Sequence, residues 1–308
     1  MMRNLFLCGI VSCLVAAASS AQSSIDLAEL DAYIEKARSE WQVPGLAVAI
    51  VKGGEVVFIK GYGVREVGKG ELVDDRTLFA IASNTKAFTS ATLTKLVDEG
   101  KLQWGDRVID HLPYFELYSP YVTQEMRVRD LLCHRSGLGT FSGDLVWYGT
   151  RYSRGEVIRR ARYLMPQSGL RERYGYSNIM FLTAGELVPA VTGRSWDDFV
   201  REEFFEPLGM IDTATSVSAL EGRANVATPH GEKDGHIVTF PWYDWDNIAP
   251  AGGILSNVND MARWIMLQLG RGTLEGKTYF SKEASRTMWT VHTPLPVSKE
   301  SEERYPTT

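Results

Sequence analysis

Two strand-like runs near the N-terminus, with no visible partners after them, constrain this fold more than any other feature. Segments 46–51 and 55–60 are rich in β-branched residues and flank Gly53-Gly54, a two-residue hairpin signal. A third short strand is expected at 77–81. From Ser83 to about Gln268 the texture turns to helices and long loops. Two or three strands do not make a stable sheet alone, so their partners are expected later in the chain. After Leu269 only a run at 277–280, a helix near 282–290 and a loop-like tail at 293–308 can be read. The fold class implied is α+β: an antiparallel sheet with flanking helices, a large mainly helical insertion, and C-terminal sheet strands missing. One domain is expected over 22–308, with its sheet-forming part about 25–82 and its helical region about 83–268.

The helices follow from apolar periodicity. Leu27, Leu30, Ile34, Ala37 and Trp41 recur at steps of three and four, which predicts a helix over 25–41 stopped by Val43-Pro44-Gly45. Further helices are expected at 84–99, ended by Gly100, and at 128–133, 155–165, 179–191 and 196–205. The last of the region, 260–269, follows the turn Ala251-Gly252-Gly253.

Residues 1–21 read as a secretory signal peptide. Arg3 precedes an apolar stretch at 5–18, and the small residues Ser19, Ser20 and Ala21 follow. The protein is therefore expected to be exported, periplasmic or secreted, with no stable membrane span after signal removal. Lipidation at Cys13 is the lesser alternative, because apolar residues continue past it. Cleavage would leave Cys133 alone, so no internal disulfide is expected. In its apolar run Cys133 reads as a small packed residue rather than a nucleophile.

Composition narrows the function. With 33 basic and 38 acidic residues the net charge is −5, which leaves no electrostatic footprint for nucleic acid. His111, His134, His230, His236 and His292 lack metal-ligand spacing, and His230 with His236 reads as a loop pair. No metal and no cofactor are expected. Gly63 through Gly68-Lys69-Gly70 has phosphate-loop spacing, but Gly70 stands where Ser or Thr is needed and no helix follows. No Gly-x-Ser-x-Gly elbow is present.

Chemistry concentrates at Ser83-Asn84-Thr85-Lys86, where a strand is expected to meet a helix. Residues three apart share a helix face, so Lys86 can bring its amine to the Ser83 hydroxyl. A serine needs such a base, and a lysine serves only when neutral. Lowering its pKa from about 10.4 to about 7 takes roughly 4–5 kcal/mol, so the site must be buried and must avoid a nearby carboxylate. The plainer reading is an N-cap serine with a surface lysine. Tyr176-Ser177-Asn178 offers a phenol and an amide two residues apart, a proton relay and a carbonyl-binding group, or simply a turn.

Together these motifs resemble the serine β-lactamase and penicillin-binding-protein superfamily, in the branch of class C β-lactamases, D-alanyl-D-alanine carboxypeptidases and related esterases. Pro44 through Lys52, Gly61-Tyr62-Gly63, Leu131 through Leu138, Pro207-Leu208-Gly209-Met210 and Ala251-Gly252-Gly253 through Asp260-Met261 extend the resemblance over about 25–290. It implies Ser83 as acylated nucleophile, Lys86 as base and Tyr176 as proton relay. Asn178 would hold substrate and orient Lys86. Tyr-x-Asn rather than Ser-Asp-Asn sets the chain apart from class A β-lactamases. The family's third motif, Lys-Thr-Gly or His-x-Gly on a C-terminal strand, is not found. Val291-His292-Thr293-Pro294 begins like it, but Pro294 replaces the glycine, and His292 reads as a helix-end residue.

The aromatic cluster of Phe240, Trp242, Tyr243 and Trp245 either lines an acyl pocket or anchors the helical region as a packed loop. Trp147 and Tyr148 allow the same two readings. The expected activity is an exported serine hydrolase acting on a small-molecule ester or amide, β-lactam or D-alanyl-peptide-like. The alternatives are a catalytically impaired fragment that at most binds ligand, and an esterase completed by strands from another chain.

Overall fold

Gly53 and Gly54 have φ of +64° and +87°, the paired left-handed conformation of a type I′ turn. The turn joins β1 (Gly45–Lys52) to β2 (Glu55–Gly63), antiparallel, with Lys52 opposite Glu55 and Gly45 opposite Gly63. In this computed structural model residues 26–295, 297 and 299–304 are described. The signal peptide expected at 1–21, with the alternative of lipidation at Cys13, falls outside the described residues.

Helix α1 (Leu27–Glu40) starts at Asp26, whose carboxylate accepts the Ala28 and Glu29 N–H groups. It is held to β2 by Asp31, which accepts from Lys60 Nζ at 2.7 Å and Tyr62 Oη at 2.6 Å. Its apolar stripe is only half covered: Leu30, Ile34 and Ala37 are half-buried, and Trp41 is 82% exposed.

Beyond the hairpin come β3 (Phe79–Ala80) and α2 (Thr85–Asp98), then, after a run of short helices and loops, α3 (Asn178–Thr192). Every α3 residue from Ile179 to Val188 is buried except Glu186. A helix apolar on all sides belongs inside a core. Phe88 of α2 stacks on Trp264 at 3.9 Å between centroids and meets Phe205 edge-on at 5.6 Å. Each fully buried side chain of this size contributes about 1.5–3 kcal/mol.

A hairpin, β4 (His230–Lys233) and β5 (His236–Thr239), follows later. This corrects the loop expected at His230 and His236. Its turn residues Asp234 and Gly235 have φ of +52° and +78°, so the Asp-Gly hairpin signal was present. Strand β6 (Leu255–Ser256) then pairs antiparallel with β3, and α4 (Val258–Leu269) packs Trp264 into the core. A small hairpin, β7 (Thr273–Leu274) and β8 (Lys277–Thr278), precedes α5 (Lys282–Met288) and α6 (Lys299–Arg304). Helix α6 lies in the tail read as loop-like.

Among the described residues the strands form four two-stranded sheets, and β1 pairs only with β2. The helix expected at 128–133 is a single turn, Val128–Leu131, closed by the Asp130 side chain accepting the Arg127 N–H at 3.0 Å. The helix expected at 155–165 ends at Arg160 and continues as a 3₁₀ turn. No helix among the described residues is long and apolar enough to cross a membrane.

Candidate active site

The chain leaves β3 through Ala82, whose φ is +45°. A non-glycine residue there costs about 1–2 kcal/mol, and the neighbouring bonds hold it. Ile81 N–H donates to Ile254 O at 3.0 Å, and Thr85 Oγ1 accepts the Ile254 N–H at 3.2 Å. Thr89 Oγ1 donates to Pro250 O at 2.7 Å. The segment 250–254 is thereby pinned along the start of α2. Ser83 stands exposed at this junction, and Lys86, 7% exposed, lies beneath it.

Lys86 Nζ has three partners: Ser83 Oγ at 3.0 Å, Asn178 Oδ1 at 2.8 Å and Ala251 O at 2.7 Å. The two carbonyl oxygens only accept. A neutral amine has two N–H bonds and one lone pair, so both hydrogens point to the carbonyls and the lone pair points to Ser83. Burial pulls the Lys86 amine down to about 8, against the opposing charge of Asp144. At that value roughly one amine in ten is neutral at pH 7.

Tyr176 closes the other side, its Oη donating to Ser83 Oγ at 2.7 Å. Several contacts fix the loop that carries it. Gly175 presses against the Leu138 carbonyl oxygen so closely that any Cβ would collide with it. The His134 ring stacks on Tyr176 at 4.4 Å and 26°, and its Nδ1 accepts the Ser177 N–H at 3.1 Å. Burial, helped by the Lys86 charge, lowers His134 to about 4. It is therefore neutral, with its proton on Nε2. Asn178 opens α3 behind the capping hydroxyl of Ser177. Its Nδ2 donates to both Asp144 oxygens, at 3.1 and 3.0 Å.

The structure thus brings Ser83, Lys86, Tyr176 and Asn178 into one hydrogen-bonded cluster. It also places a carboxylate, Asp144, behind Asn178, where the sequence argument required none. The lysine stays depressed because burial outweighs that charge.

Trp242, Tyr243 and Trp245 line a cavity of about 220 Å³ together with Phe240, Ala80 and Gly252. A Cβ placed on Gly252 would lie 3.9 Å from the Ala82 carbonyl carbon, so the cavity wall adjoins the residue before Ser83. Trp147 meets Trp245 edge-on at 5.7 Å, and Tyr148 lies 5.8 Å from Tyr243. The aromatic cluster borders both a cavity and the packed Trp147 loop.

Residues 30–298 match the Beta-lactamase family. The chain belongs to the Beta-lactamase family. It is 30% identical over 284 residues to the unguisins hydrolase ungD' of Aspergillus campestris (strain IBT 28561), covering 88% of this chain and 52% of that relative. The chain thus spans about half the length of this relative. The octameric penicillin-binding protein homologue from Pyrococcus abyssi superposes with a TM-score of 0.75 at 28% identity, over 86% of this chain and 60% of that one. EstCE1, a hydrolase with promiscuous acyltransferase activity, shares the fold with a TM-score of 0.74 at 16% identity, over 91% of this chain and 80% of that one.

Within this Beta-lactamase family member the other sequence candidates have different partners. Cys133 donates its S–H to Arg129 O at 3.0 Å, and burial pushes the thiol up, away from a nucleophilic thiolate. Lys69 pairs with Glu66 at 2.9 Å. His292 bonds Thr287 O at the end of α5, and Thr293 donates to Cys133 O. No group of three or more His, Cys, Asp or Glu among the described residues is placed to hold a metal ion. Sequence reasoning missed Asp144 altogether, and weighed His134 only as a metal ligand and as part of the resembling stretch Leu131 through Leu138. Nothing local marks Asp144, because its partner Asn178 lies 34 residues on.

Proposed function

We propose that this chain is a serine hydrolase that forms an acyl-enzyme on Ser83 and acts on small esters or amides. The observation that carries the reading is the Lys86 amine, whose two carbonyl acceptors leave its lone pair facing Ser83 Oγ. Membership in the Beta-lactamase family and the similarity to the unguisins hydrolase of Aspergillus campestris support it.

Ser83 Oγ attacks the substrate carbonyl carbon as its proton passes to Lys86 Nζ. The oxyanion forms at the N-terminal end of α2, where backbone N–H groups and the helix dipole favour negative charge. As the intermediate collapses, the leaving oxygen or nitrogen takes a proton from Tyr176 Oη, which borders Ser83 at 2.7 Å. Asn178 holds Lys86. Water then attacks the acyl carbon and gives its proton to the Tyr176 phenolate, and Ser83 Oγ leaves with the proton held on Lys86, which restores all three groups. The aromatic cavity of Trp242, Tyr243 and Trp245 takes the apolar part of the substrate, such as the side group of a β-lactam, a D-alanyl-peptide-like amide or an ester.

A fluorophosphonate probe or labelled penicillin tests this directly. Wild-type protein is expected to carry one adduct, on the Ser83 peptide, and Ser83→Ala none. An adduct that survives Ser83→Ala overturns the assignment. A folded wild-type chain that takes no label would instead favour the ligand-binding alternative. The export reading predicts a secreted protein beginning at Gln22, which N-terminal sequencing checks.

A further inference from the structure

We propose that Asp144 positions the base: by holding the Asn178 amide in one orientation, it makes Lys86 turn its lone pair to Ser83. The inference rests on the hydrolase reading above.

An asparagine amide has two ends of nearly equal shape and opposite bonding. Only the carbonyl end can accept from Lys86. The amino end sits 3.1 and 3.0 Å from the Asp144 oxygens, which as a carboxylate only accept. Turning the amide over would set Oδ1 against the carboxylate and Nδ2 against the lysine, replacing attractive contacts with repulsive ones. Asp144 therefore fixes the amide, and the amide and Ala251 O take the two N–H bonds of the neutral lysine. The lone pair has Ser83 left to face.

Asp144 is itself held. Trp147 Nε1–H donates to its Oδ1 at 3.1 Å, within the one-turn helix Asp144–Trp147. That helix follows Gly143, whose φ is +86°, and a Cβ there would press on Leu164 and Ile179. The same carboxylate thus ties the base to Trp147, which contacts Trp245 of the cavity wall.

The titratable groups facing Lys86 are Asp144, His134 and the Tyr176 phenol. His134 is neutral, so Asp144 supplies the charge that favours the protonated amine. Removing that charge makes Lys86 neutral at lower pH.

The test is the pH profile of kcat/KM for p-nitrophenyl acetate in wild type, Asp144→Asn and Asp144→Glu, with thermal melts of each. Asp144→Asn is expected to move the acid limb to lower pH and to lower the plateau roughly tenfold to a hundredfold, the usual cost of misplacing a reacting group by about 1 Å. Asp144→Glu keeps the charge and displaces the carboxylate, so its limb stays and its plateau falls. Wild-type protein labelled at Ser83 beside an Asp144→Asn profile that superposes on it overturns the role of Asp144 alone. Equal losses in both variants with an unmoved limb mark a merely structural residue, and also overturn it. Wild type unlabelled at Ser83 overturns the hydrolase reading and this inference with it. If Asp144→Asn lacks a cooperative melt, Asp144→Ser, likewise uncharged, is read in its place: an acid limb moved to lower pH with a lowered plateau supports the proposal, and an unmoved limb overturns it.

Discussion

Helices α1 and α3 are nearly equal in length, 14 and 15 residues, yet α1 buries no residue and α3 buries nine. The contrast extends to their neighbours. β1 is half-buried almost throughout, and Tyr62 is the one buried residue of β2. α2 carries Phe88, Leu93 and Leu96 at 0% exposure. All four residues of the Ser83 cluster hang from the packed half: Ser83 and Lys86 at α2, Tyr176 and Asn178 at the start of α3. A reacting geometry of a few tenths of an ångström needs that support. The hairpin half is the part whose sheet partners the sequence led one to expect.

The largest test of this contrast is Trp196→Ala. Its fully buried indole is expected to cost about 3–5 kcal/mol in a denaturant melt. Next comes Asp130→Ala. Asp130 is fully buried and bonds Arg171 at 2.7 Å and Arg135 at 3.3 Å. Removing it strands those cations and is expected to cost about 3 kcal/mol. Burial pushes the Asp130 carboxyl up, yet the Arg171 bonds, the Arg127 N–H and the arginine charges hold it below the usual range. Its contribution is present above the ordinary carboxylate pKa of about 4, and is lost as pH falls below that. Acid melts of wild type should therefore steepen below about pH 4, and those of Asp130→Ala less so.

In the hairpin half the effects shrink. Asp26→Ala removes the α1 cap and is expected to cost about 1 kcal/mol. Trp41→Ser, at a side chain 82% exposed, is expected to change stability by less than about 0.5 kcal/mol. A Trp41→Ser loss comparable to that of Trp196→Ala would break the comparison. Hydrogen exchange would sharpen it: β1 and β2 amides should exchange through smaller openings than those of α3.

Much of the cluster was legible because its parts are local. Ser83 and Lys86 are three residues apart at a strand-to-helix junction, and Tyr176 and Asn178 flank a helix cap. The α1 stripe was legible as a helix but not as a poorly covered one, because coverage depends on what packs against it. The β3–β6 pairing joins residues far apart in the chain, and no local pattern announces two-residue strands. The β4–β5 hairpin is legible in Asp234-Gly235, although the two strands it joins, read as a loop, are only four residues each. Asp144 was invisible, since its meaning lies wholly in facing Asn178.

The central claim is that a buried, partly neutral Lys86 activates Ser83. The most direct measurement is the rate of Ser83 acylation by a fluorophosphonate as a function of pH. The rate is expected to rise with pH through a midpoint near 8, where the buried amine loses its proton, and to collapse in Lys86→Met. A rate independent of pH from about 6 to 9, or a Lys86→Met variant that acylates as fast as wild type, would contradict it.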